Sequence, residues 1–212
     1  MRRLLTTLLL GLMLAACQSA YYEAAEVMGR HKRDILVDRV EAARDSQAEA
    51  EEQFQSAQEQ LLALIEFDGG ELRDMYEDLA DEYEASVAAA EEVSERIDAI
   101  EHVAEALFDE WEEEIEEFSN PRFKADSQRK LRDTRHRYGG LIKAMRKSEQ
   151  RMEPVLVALN DNVLYLKHNL NAQAVAALKV EFGQIEKDID LLIQDMRKAI
   201  ASSNEFIESM QQ

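Results

Sequence analysis

The sequence predicts an all-α fold, an elongated antiparallel four-helix bundle with coiled-coil-like heptad packing, and three observations carry that expectation. The composition is 46% hydrophobic but only 7% aromatic, with 7 Gly and 2 Pro in 212 residues, which favours long helices over strands and turns. Apolar residues recur at 3-4 spacing through four long stretches. Short breakers separate the stretches at nearly equal intervals: Asp68-Gly69-Gly70, Asn120-Pro121 and Asn169-Leu170-Asn171. Short connections between helices of similar length favour antiparallel neighbours, and a 48-residue helix would make a rod of roughly 70 Å.

The N-terminal residues 1–16 read as a signal peptide. Met1-Arg2-Arg3 is a basic start and Leu4 to Leu14 an uncharged apolar stretch, shorter than the roughly 20 residues a membrane-spanning helix needs. The stretch ends Leu14-Ala15-Ala16-Cys17, which resembles the lipobox of bacterial lipoproteins. There small residues admit the signal peptidase and the cysteine thiol accepts the lipid. Cys17 is the only cysteine, so no disulfide framework competes for it, and several acyl chains on it would hold a membrane firmly where one would not. Gln18 in place of an aspartate implies, by resemblance to lipoprotein sorting in two-membrane bacteria, the outer membrane, with residues 17–212 forming one lipid-anchored domain facing the periplasm.

The first helix is expected over about 20–67, with Val40, Ala43, Gln47, Ala50, Phe54, Ala57, Leu61 and Leu64 on its seam. The second, about 71–118, carries Leu72, Tyr76, Leu79, Tyr83, Ser86, Ala90, Val93, Ile97, Ile100, Ala104, Leu107, Trp111 and Phe118, with Glu114 at a nominal seam position. The third, about 121–168, is more polar: Leu131, Thr134, Tyr138, Leu141, Met145, Ser148, Met152, Val155, Leu159 and Leu166, with Asn162 also on the stripe. The fourth, about 172–210, carries Val175, Leu178, Phe182, Ile185, Ile189, Leu192, Met196, Ala199, Ser203, Phe206 and Met210. Gly139-Gly140 and Pro154 strain the third helix; proline removes a backbone donor and crowds the carbonyl four residues earlier. A bend near 150–154 with the helix continuing is expected, with a break into two helices as the other outcome.

The formal charge is −19, which disfavours nucleic acid and, overall, anionic lipid headgroups as partners. Residues 71 to 118 hold 20 acidic and 2 basic side chains, whereas residues 121 to 168 hold 12 basic and 5 acidic. Folding at Asn120-Pro121 would bring Asp109, Glu110, Glu112, Glu113, Glu114, Glu116 and Glu117 beside Arg122, Lys124, Arg129, Lys130, Arg132, Arg135 and Arg137. Such pairing sets helix order and register more than stability, since exposed pairs contribute about 0.2 to 1 kcal/mol each. The alternatives to internal pairing are a headgroup contact by the basic run of the third helix or a divalent cation on the acidic run of the second.

The paired Glu-x-x-His motifs of di-iron bundles do not occur, nor does a Gly-rich phosphate loop or a Gly-x-Ser-x-Gly elbow. His31, His102, His136 and His168 fall off the seams. The expectation is therefore no enzyme, no catalytic residue, no metal site and no cofactor beyond a covalent lipid on Cys17.

The lipobox, the Phe67-Asp68-Gly69-Gly70-Glu71-Leu72 corner and the Phe118-Ser119-Asn120-Pro121-Arg122-Phe123 corner together resemble a domain-of-unknown-function family of helical envelope lipoproteins. That resemblance implies localisation and helical architecture and supplies no activity. The functional expectation is a non-enzymatic structural or protein-interaction element of the cell envelope, held at the membrane by lipid and bound to an envelope protein. The alternative is a periplasm-facing ligand- or metal-binding bundle using polar seam residues around Thr134, Ser148 and Asn162.

Overall fold

The computed structural model describes residues 31–66 and 71–211. They form four helices: α1 Lys32–Ile65, α2 Leu72–Glu117, α3 Pro121–His168 and α4 Ala172–Met210. Each packs against its neighbours in sequence, and α4 closes the ring against α1. Cross-helix contacts run in opposite directions along every adjacent pair. Lys32 meets Glu110 while Gln53 meets Glu82, and Arg44 meets Asn204 while Glu51 meets Arg197. The result is the expected antiparallel bundle, with α3 alone about 72 Å long at 1.5 Å per residue.

Capping chemistry sets the boundaries of α3 and α4. The Asn120 side chain accepts from the Arg122 amide at 2.9 Å, and Pro121, which has no N–H to satisfy, opens the helix. Asn171 accepts from the amides of Gln173 and Ala174 at 3.0 and 3.1 Å. Both helices start and stop where the sequence predicts. The start expected for the first helix near residue 20 and the corner Phe67 to Gly70 lie outside the described residues.

One contiguous core runs the length of the bundle. Every expected seam position of α1, including Gln47, is buried, and so is every one of α4 except half-buried Phe182. The prediction for the end of α2 is corrected: Glu114 and Phe118 are exposed, whereas Phe108 and Ile115 are buried. The buried positions there recur at an 11-residue interval, Ile97 to Phe108 and Ala104 to Ile115. A straight helix of 3.6 residues per turn drifts off a strict heptad by about 20° per repeat, and this stutter returns the stripe to the core.

Helix α3 is continuous through Pro154. Pro154 and Gln150, whose carbonyl loses its amide partner, are both exposed, so water can take the orphaned acceptor and the core keeps its packing. Gly139 and Gly140 also face outward, with nothing near the position a Cβ would take.

Candidate functional site

Cys17 and the residues before it, Leu14, Ala15 and Ala16, lie outside the described residues. Among the described residues no helix is long and apolar enough to cross a membrane, and no group of three or more His, Cys, Asp or Glu side chains is placed to hold a metal ion. His31, His102, His136 and His168 are all exposed. The described residues present a pattern of charge and exposed apolar side chains on the bundle surface, above an apolar core that holds a few polar side chains.

The acidic face of α2 does lie against the basic face of α3, but only part of the predicted run is paired. Lys124 bonds Glu116 at 2.7 Å, and Arg135 bonds Glu112 while its guanidinium stacks 5.2 Å from the Phe108 ring centroid. Arg129 and Lys130 turn to Asp126 on their own helix. The principal clip between the helices is Arg146, beyond the predicted run: it reaches Asp98 and Glu101 on α2 and Glu149 on α3. The Glu101 bond raises the Arg146 pKa further, burial opposes it, and the Asp98 and Glu149 bonds add to the rise. Arg146 was invisible as a partner because nothing in a charge run says which cation lies level with which carboxylate.

A second cluster was not legible from sequence. Asp195 on α4 is 3% exposed and bonds Lys147 at 2.8 Å, Lys198 at 3.1 Å and Arg151. Burial pushes its carboxyl up, but the three cations outweigh that and hold it down at about 2. The i, i+4 spacing of Lys147 and Arg151 on α3 was the available signal.

The polar seam is satisfied largely within each helix. Ser86, Ser148, Asn162 and Ser203 donate to the carbonyls of Glu82, Met145, Ala158 and Ala199. Gln47 differs: its Nε2 crosses the bundle to the Ser148 hydroxyl at 3.1 Å, and its Oε1 is the one buried side-chain polar atom without a partner among the described residues. Thr134, Ser148 and Asn162 do not share a cavity. They are 14 residues apart along α3, about 21 Å per interval; Thr134 borders one open cleft and Asn162 another, with Tyr165, Leu178 and Glu181.

Among the described residues the α2–α3 corner extends past the level at which Lys32 of α1 meets Glu110, from Trp111 to Glu117 on α2, roughly 10 Å. Trp111 donates to the Ser127 hydroxyl at 2.8 Å and ties the two arms together. At the apex Phe118 is 42% and Phe123 62% exposed, with Arg122 and Lys124 beside them. This corner lies at the end of the bundle where the chain enters α1. Further exposed apolar side chains, Val157, Leu164 and Tyr165 on α3 and Val180 on α4, lie toward the opposite end.

No curated protein and no solved structure matches the chain. A family profile described as protein of unknown function (DUF2959) matches residues 21–210. That span takes in all four helices, the three corners and the Asp195 and Arg146 clusters, and starts after Cys17. Over nearly its whole length, and through every element that builds the bundle, the chain therefore belongs to the DUF2959 family of proteins of unknown function.

Proposed function

We propose that the chain is a lipoprotein, acylated on Cys17 and held by that anchor at the bacterial outer membrane, with its bundle extending into the periplasm as a non-enzymatic structural or protein-interaction element of the envelope. The observation that carries this reading is Leu14-Ala15-Ala16-Cys17 directly after a basic start and a short apolar stretch, with Cys17 the only cysteine. A long, strongly acidic rod with exposed charged and apolar faces gives support. The exposed Val157, Leu164, Tyr165 and Val180 side chains suit a protein partner on the half of the rod away from the anchor.

The test is intact mass and membrane fractionation of the natively expressed chain beside Cys17→Ala. Acyl mass and outer-membrane fractionation of the wild type, with the variant soluble or unprocessed, support the anchor. Unmodified Cys17 and a soluble wild type overturn it. The interaction half is tested by crosslinking in cells: Leu164→Glu with Val180→Glu should abolish a specific envelope crosslink that the wild type forms. A crosslink that persists removes this face as the docking surface.

A further inference from the structure

The apex of the α2–α3 corner brings exposed aromatic rings and cations together at the end of the bundle where the chain enters α1. Phe118 and Phe123 stand exposed on either side of Asn120-Pro121, and a proline-started helix with an Asn cap fixes both arms. The tip itself, Phe118 to Ala125, holds the two cations Arg122 and Lys124, and carboxylates begin on either side of it, at Glu117 and Glu116 on α2 and at Asp126 on α3. Lys124 is engaged by Glu116; Arg122 makes no ion pair among the described residues. Exposed aromatic rings beside cations at the end of a rod match the boundary between lipid headgroups and acyl chains, where rings enter the apolar layer and long basic side chains reach back to phosphate.

Placement supplies the second observation. The apex shares its end of the bundle with the start of α1, and residues 18–30 between Cys17 and His31 reach at most about 45 Å when extended. We propose that the apex is a second membrane contact: Phe118 and Phe123 enter the headgroup region of the phospholipid bilayer, Arg122 pairs with lipid phosphate, and the rod is held end-on. This inference rests on the lipid anchor proposed above, which brings the bilayer within reach. It adds a defined orientation that a flexible tether alone would not impose.

The experiment uses the full chain reconstituted in phosphatidylethanolamine and phosphatidylglycerol vesicles with brominated acyl chains. Trp111, the only tryptophan, is replaced by Phe, and one new reporter is introduced as Phe123→Trp or as Val180→Trp. Val180 is 84% exposed and lies about 60 Å from the apex along α3 and α4. Circular dichroism establishes that each variant is helical before it is used. The expected result is emission at the apex reduced by roughly half relative to ordinary lipid, with the Val180→Trp reporter unchanged, since interfacial insertion reaches about 5 to 10 Å into the boundary. Adding Arg122→Glu should weaken the apex quenching.

Acyl mass on Cys17 with no apex quenching overturns the contact and leaves the anchor standing. Unmodified Cys17 with no vesicle binding overturns both. Unmodified Cys17 with vesicle binding and apex quenching supports the contact and overturns the anchor. A blue-shifted apex reporter without vesicles, together with a doubled sedimenting mass, assigns the apex to a second copy of the chain and overturns the bilayer.

Discussion

Asp195 and Gln47 show how little of a residue's role is written at its own position. Asp195 sits one place before the seam residue Met196, where an acid ordinarily faces water; the bundle buries it and surrounds it with cations from α3 and α4. Asp195→Ala should cost about 2 kcal/mol, the scale of hydrogen bonds to a charged group, measured by urea unfolding at neutral pH. Because the folded carboxyl is held below its ordinary value of 3.8, at about 2, its contribution is complete above pH 4 and disappears as pH falls toward 2. Asp195→Asn should therefore differ most from wild type near neutrality and converge with it at pH 2; a constant difference would remove the charge from the account.

Gln47 was legible as a polar residue on a seam, but its partner was not. Ser148→Ala should destabilise by about 1 to 2 kcal/mol, since the buried Gln47 amide then loses its cross-bundle bond. Gln47→Leu with Ser148→Ala should recover most of that, because both polar groups are removed together. A double-mutant cycle with no coupling between the two would show that the pair contributes nothing to stability.

At the scale of elements, sequence legibility followed the caps. Asn120-Pro121 and Asn171 each supply a side-chain acceptor for orphan amides, and local chemistry of that kind needs no tertiary context. The same holds for Pro154 on an outward face. The stutter near Phe108 and Ile115 was missed because heptads and 11-residue spacing fit the same apolar residues until the helix has a core to face. Gly139 and Gly140 lie in a regular helix with open space at the Cβ position. Gly139→Ala and Gly140→Ala should each stabilise by about 0.5 to 1 kcal/mol, read as a rise in Tm. A fall would show that the glycine pair is needed for packing or for a bend.

Over the whole molecule, the single continuous core predicts cooperative unfolding. Helix loss by circular dichroism and Trp111 emission, which reports the α2–α3 corner, should share one midpoint in urea. An earlier Trp111 transition would identify the corner as a unit that opens separately.

Periodicity, caps and breakers act within a few residues of chain, so the class, the four helices of the described residues, the boundaries of α3 and α4 and the buried face of each helix, except over the last turns of α2, could be read from sequence alone. Packing of the four helices sets which side chains lie level with one another: Gln47 with Ser148, Arg146 with Asp98 and Glu101, Asp195 with Lys147 and Arg151, and it leaves Phe118 and Phe123 exposed at the α2–α3 apex. A seam specifies a direction around the helix axis, whereas axial register is settled only when four helices pack at once and one alignment best satisfies their shared core and its charged margins.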